Sequence, residues 1–250
     1  MGKVSYLDAP SGRRIAYVKT DGRAPGVVFL GGFMSDMTGT KAVHLEEWAE
    51  KSGQAFLRFD YSGHGQSSEE FSDGCISDWA EDARTAIERL TAGPQVLVGS
   101  SMGGWIALLC ATAISGRVAG LVTIAAAPDF TEDSMWAGFD DAQRATLLAE
   151  GQIRLPSDYD EPYAITRKLI EDGRENLVLR SPLNLKVPVR MLQGTADQDV
   201  DMSVATRLLQ HVEGEDIELC LVKGADHRFS NEGCLRKIEK ELAEVISRSR

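Results

Sequence analysis

The sequence predicts an α/β fold: a mostly parallel central sheet flanked by helices, with a helical insertion packed over one edge. Three observations point there. Short β-rich runs alternate with amphipathic helical stretches. The runs are apolar throughout rather than alternating, as in strands buried on both faces. One long interval without a strand candidate interrupts the alternation. At 250 residues the chain fits a single domain, 1–250, with the insertion at 128–186 inside it.

The first run is GVVFLGG (26–32), closed by a glycine pair, and the helical stretch TKAVHLEEWAE (40–50) follows. QAFLRFDY (54–61) is the next strand and leads into a Gly-rich loop. In ISDWAEDARTAIERL (76–90), Ile76, Trp79, Ala80, Ala83, Ile87 and Leu90 recur at helical spacing and form one apolar stripe. QVLVGS (95–100) and VAGLVTIAAA (118–127) enclose the helical GGWIALLCATAI (103–114). The interval 128–186 carries acidic patches, Pro156, Pro162 and Pro182, and apolar residues including Trp136, Phe139, Leu147, Leu148 and Tyr163. It is too long for a loop in a compact domain and reads as helical. VPVRMLQG (187–194) and DIELCLVK (216–223) resume the strands around the helix SVATRLLQHV (203–212). A last helix over about 235–247 buries Ile238, Leu242, Val245 and Ile246.

Composition narrows the function classes. The formal charge of -11 and pI of about 4.9 repel phosphate backbones, so nucleic acid is not an expected partner. The four cysteines, Cys75, Cys110, Cys220 and Cys234, have no metal-ligand spacing and suit a reducing compartment. No run approaches 18 apolar residues, so no membrane span is expected. The opening MGKVSYLDAP has neither an apolar export core nor an Arg/Ser-rich amphipathic stretch, and the expectation is a soluble, cytoplasmic protein of unknown oligomeric state.

The chemistry centres on GSSMGG. Gly99-Ser100-Ser101-Met102-Gly103 fits G-x-S-x-G between a buried strand and a helix, the context that motif requires. Ser101 is then a nucleophile on a tight bend, where side chains at 99 and 103 would collide. The Met102 N–H, at a helix amino terminus, is one candidate donor to an oxyanion. The loop FLGGF supplies the other, the Phe33 N–H, behind Gly31 and Gly32. A serine needs a base. His44 and His211 lie in helices and read as surface residues. His64, in the loop RFDYSGHGQSS, precedes the serine, whereas the order that goes with this motif is serine, acid, histidine. It reads instead as bracing its own loop. His227, in KGADHRFS just past the strand 216–223, is the expected base. Between them GTADQDV offers Asp197 and Asp199; Asp197 is favoured as the acid, and Asp199 reads as helix capping or a solvated residue before SVATRLL.

GGF, DYSGHGQS, GSSMGG, GTADQDV and DHRF, in this order, resemble the serine hydrolases of the α/β-hydrolase fold over nearly the whole chain. Gly31 departs from the His-Gly pair of many such enzymes. RFDYSG, GPQVLVGSSMGGW, SDMTGTKA and DHR are similar to the palmitoyl-protein thioesterase and acyl-glucuronide esterase branch, known best from mitochondria. The resemblance implies the triad Ser101, Asp197 and His227 and cleavage of esters or thioesters through an acyl-enzyme, without cofactor or metal. The expected partner is a small-molecule or acylated substrate, with Trp136, Phe139 and Tyr163 lining an apolar cleft beneath the cap. Two other readings stay open: a small-molecule binding protein on the same scaffold, and carbon–carbon bond hydrolysis or perhydrolysis by the same triad.

Overall fold

In the computed structural model, which describes residues 2–155 and 163–249, eight strands form one sheet. They are β1 (Ser5–Asp8), β2 (Arg14–Thr20), β3 (Arg23–Leu30), β4 (Gln54–Phe59), β5 (Gln95–Ser100), β6 (Val118–Ile124) and, beyond the insertion, β10 (Val189–Gly194) and β12 (Ile217–Val222). The order is β1-β2-β4-β3-β5-β6-β10-β12. From β4 to β12 every pairing is parallel, while β2 runs antiparallel to both β1 and β4. The sheet is therefore mostly parallel, as expected, with an antiparallel edge that the apolar-run criterion misses. β1 is half-exposed and β2 mixes buried with exposed positions, so neither reads as a continuous apolar run.

Central strands feed two cores. In β3, Val28 and Leu30 enter one apolar cluster and Val27 and Phe29 the other, as the two-residue period of a strand demands. The first cluster is closed by α2 (Ile76–Leu90), α3 (Met102–Ala113) and α6 (Met202–His211), the second by α1 (Thr40–Ser52) and α7 (Glu232–Arg248). Each fully buried aliphatic side chain is worth roughly 1.5–3 kcal/mol, so sandwiching the sheet is the main source of stability. β12 departs from the expected double-sided burial: it is the outer strand, its positions are half-buried or exposed, and Leu221 faces solvent.

The segment 128–186 is not purely helical. A π-helical turn (Thr131–Trp136) and α4 (Asp141–Glu150) lead into β7 (Gln152–Leu155), which pairs antiparallel with β8 (Tyr163–Thr166). Next come α5 (Arg167–Glu175) and β9 (Leu183–Asn184), which pairs with β11 (Val212–Glu213). Four-residue strands are too short to show a period in the sequence. Pro156 and Pro162, part of the sequence reading of this segment, lie outside the described residues. Both ends of the segment are tied together by the buried Asp129, whose carboxylate accepts the N–H groups of Val178 (2.7 Å) and Leu179 (2.9 Å) and meets Arg180 Nη1 at 3.1 Å.

Candidate active site

Four loops leave the carboxyl ends of parallel strands β3, β5, β10 and β12, and each brings one part of the site. After β5 the chain turns sharply. Ser101 takes φ 54° and ψ -120°, a conformation costly for a residue with a Cβ. It is held there from both sides. The Ser101 N–H donates to the Ile124 carbonyl (2.9 Å), and the Ser101 carbonyl accepts from Gly104 (2.9 Å) and Ala127 (3.1 Å). Glycine is required around it: a Cβ on Gly99 would strike the Gly103 carbonyl, and one on Gly103 the Leu30 carbonyl.

His227 Nε2 lies 3.1 Å from Ser101 Oγ, and its Nδ1 lies 2.9 and 3.1 Å from the two oxygens of Asp197. The carboxylate can only accept, so Nδ1 carries the hydrogen and the bare Nε2 faces the serine hydroxyl. The Asp197 side chain is 0% exposed and that of His227 20%, so the carboxylate is sealed and the imidazole reachable. Burial works against the Asp197 charge. The hydrogen bond from His227 and the N–H groups of Val200 and Asp199 together outweigh it, holding this carboxyl below the ordinary aspartate range. Asp199 is exposed, as a solvated residue would be, and contributes its N–H, 2.9 Å from Asp197 Oδ1; it does not cap α6, whose N-cap is Asp201, two residues nearer the helix, accepting the Ser203 N–H at 2.8 Å.

Two supports escape a motif search. Gln193, buried at the end of β10, donates from Nε2 to Asp197 Oδ2 at 2.9 Å; a glutamine ending an apolar strand was the available signal. Lys41 Nζ donates to the Arg228 carbonyl, next to the histidine. Burial lowers the Lys41 ammonium to about 8.

The loop after β3 packs against the serine, with a Cβ built on Gly32 lying 3.4 Å from Ser101 Cβ. Met102 opens α3 and is fully buried. The Phe33 ring is wedged edge-on among Phe71, Trp79 and Phe130, at centroid distances of 4.9, 6.0 and 5.5 Å. Phe130 also meets Trp105 edge-on at 5.7 Å.

Phe130 is the insertion aromatic among the described side chains that packs on the Phe33 ring. Trp136 carries Arg174 at 4.6 Å and Arg144 at 5.4 Å over its ring and touches Phe139, which is buried. None of their described ring contacts reaches Ser101 or His227. Tyr163 opens β8, and its side chain lies outside the described residues. His44 pairs with Glu239 (2.7 Å) and His211 with the Arg207 carbonyl (3.0 Å), both away from the serine. Asp197, Asp199 and His227 bring ligand atoms within 4.8 Å of one another, the grouping among the described residues that could chelate an ion. The hydrogen bonds above already engage Asp197 and the Nδ1 of His227.

A model of the alpha/beta hydrolase family matches residues 27–233. The chain belongs to the α/β hydrolase family. Over 250 residues, 98% of this chain and 80% of the relative, it is 32% identical to "Palmitoyl-protein thioesterase ABHD10, mitochondrial" of Bos taurus. It is 34% identical to the protein of that name from Rattus norvegicus, over 90% of this chain and 76% of the relative. The solved structure of alpha/beta hydrolase domain-containing protein 10 from mouse superposes with a TM-score of 0.91 at 30% identity, covering 98% of this chain and 99% of the other. This α/β hydrolase is thus similar, over nearly its full length, to esterase- and thioesterase-type members of the family. The relatives' names place those proteins in mitochondria, which overturns the expectation of a cytoplasmic protein. Sparse cysteine reports a reducing environment and not which compartment provides it. Among the described residues no helix is long and apolar enough to cross a membrane.

Proposed function

We propose that this α/β hydrolase cleaves carboxylic thioesters and esters through an acyl-enzyme on Ser101. The observation that carries the reading is the hydrogen-bond line from Ser101 Oγ to His227 Nε2 (3.1 Å) and from His227 Nδ1 to Asp197 (2.9 Å). His227 takes the Ser101 proton as Oγ attacks the acyl carbon. The ionised Asp197 stabilises the imidazolium and fixes its tautomer. The N–H groups of Phe33 and Met102 receive the oxyanion, each such donor being worth about 10²–10³ in turnover. Collapse of the tetrahedral intermediate breaks the bond to the thiol or alcohol, which leaves with the proton from His227. Water then attacks the acyl-Ser101 ester, giving its proton to His227, and the serine recovers that proton as the acid departs.

The relatives' names support an acylated substrate with a thioester bond. Phe33 and Phe130, the aromatic pair beside the nucleophile loop, are the proposed inner wall for the acyl chain, with Trp136 and Phe139 one layer back. Burial of each methylene contributes about 0.8 kcal/mol, roughly fourfold in affinity per carbon until the wall is full. A hydrolysis panel crossing acyl length with sulfur and oxygen leaving groups tests this. The expected result is turnover abolished by Ser101→Ala and rising from acetyl toward medium chains. Fastest cleavage of acetyl esters, declining with length, contradicts the apolar wall. Undiminished cleavage by Ser101→Ala contradicts the acyl-enzyme.

A further inference from the structure

His64 is buried in the loop after β4, and the triad makes no use of it. Its ring meets those of Tyr61, Phe71 and Trp79 edge-on, at 5.6, 5.2 and 5.2 Å. Its protonation pattern follows from its partners. Nδ1 lies 3.1 Å from the Ser62 carbonyl, which also accepts from Trp79 Nε1 at 3.1 Å. Ser62 is itself fixed, since its N–H and its hydroxyl both donate to Asp82 Oδ2, at 2.9 and 2.6 Å. Asp82 is buried and receives Arg13 Nε at 2.8 Å on its other oxygen. A carbonyl only accepts, so Nδ1 of His64 bears the hydrogen and Nε2 is left bare. Burial favours this neutral ring, pulling the His64 pKa below the ordinary histidine range against the smaller effect of the Ser62 bond.

That bare Nε2 faces the neighbouring loop, where it accepts the N–H of Met34 at 3.3 Å. Met34 stands at φ 53°, in the left-handed region that a side chain disfavours. It directly follows Phe33. The Phe33–Met34 peptide is thus held by His64 Nε2, while the Gly32 carbonyl, in the preceding peptide that carries the Phe33 N–H, accepts from the Ser35 N–H (3.2 Å) and Ser35 Oγ (2.9 Å), and the Met37 N–H is tied to Asp60 Oδ1. We infer that His64 is a positioning residue: by fixing the Phe33–Met34 peptide it restrains, from the far side of Phe33, the Gly32–Phe33 peptide that Ser35 holds at its carbonyl, and so keeps the Phe33 N–H aimed at the developing oxyanion. The inference rests on the oxyanion role proposed above for Phe33. It assigns His64 no contact with substrate.

The test compares wild type with His64→Phe, which keeps an aromatic ring but has no acceptor, and with His64→Gln, whose Oε1 reaches the place of Nε2. For each, kcat and KM on a short acyl thioester are measured, with the melting temperature and the inhibition constant of the matching acyl trifluoromethyl ketone. The hemiketal oxyanion of that inhibitor fills the same hole. His64→Phe is expected to lower kcat about ten- to hundredfold, less than removal of a donor outright, and to weaken ketone binding in parallel while KM holds. His64→Gln is expected to recover most of both. Should His64→Phe fail to fold, His64→Met makes the same comparison. An active wild type matched within about twofold by folded His64→Phe, or a loss confined to KM, overturns this inference alone. A wild type that neither turns over nor captures the ketone overturns the acyl-enzyme reading, and this inference with it.

Discussion

Ser101 occupies a backbone conformation that a side chain tolerates only under constraint, and the constraints are visible in its three backbone hydrogen bonds. Such a residue is expected to be chemically irreplaceable and structurally replaceable. Ser101→Ala or His227→Ala should each lower turnover by several orders of magnitude while the melting temperature barely changes, because triad members act as a unit. Asp197→Asn keeps the shape but lets the imidazole adopt the wrong tautomer, with an expected loss of about 10⁴ in kcat. Asp199→Asn should cost far less, since only the Asp199 N–H reaches the triad. Steady-state kinetics on the two variants checks this, and the reverse ranking moves the acid to Asp199. Ser101, Asp197 and His227, the proposed nucleophile, acid and base, stand out in the sequence because each follows an apolar run, and the parallel sheet brings all three to one edge. The supports do not. Lys41 and the His64–Met34 bond act between segments distant in sequence, and no local spacing encodes them, while Gln193 lies only four residues from Asp197 but belongs to no motif.

At the scale of elements, α3 leaves β5 so closely that its first turn touches β3. Gly103→Ala would push a Cβ into the Leu30 carbonyl, which is backbone and cannot step aside cheaply. The expected cost is about 1–3 kcal/mol of stability, as for other overpacked sites, together with reduced turnover, because the loops after β3 and β5 carry the proposed oxyanion donor Phe33 and nucleophile Ser101. Thermal unfolding and kinetics on the same sample measure both. The His64 loop carries a pH dependence of stability. The folded pKa of His64 is depressed, while an unfolded histidine titrates near about 6.5. As pH falls below that value the unfolded chain takes up a proton that the folded chain refuses. The stability contributed by the neutral ring is therefore present above it and lost progressively down to the folded pKa. Burial raises the neighbouring carboxyls Asp60 and Asp82 instead. The difference between wild type and His64→Gln in denaturant unfolding isolates the histidine. That difference should shift against wild type as pH drops from 7 to 5, and a pH-independent difference contradicts it.

For the whole molecule, the parallel sheet and its helices were legible because continuous apolar runs and a 3.6-residue stripe are strong patterns. The half-exposed hairpin of β1 and β2 and the four-residue strands β7 and β8 were not, because pairing with a neighbour defines them more than their composition does. The insertion is fastened at its root by Asp129 and internally by Trp136 between Arg144 and Arg174. Trp136→Ala is accordingly expected to lower the melting temperature without changing the ratio of medium- to short-chain turnover, whereas Phe130→Ala should compress that ratio. Acyl transfer is proposed to pass through Ser101. Intact-mass and peptide mass spectrometry after rapid mixing with an acyl thioester and acid quench tests it most directly. The expected result is an acyl mass increment confined to the peptide containing Ser101 and absent in Ser101→Ala. Rapid turnover by wild type with the increment on another residue, or retained in Ser101→Ala, would contradict it.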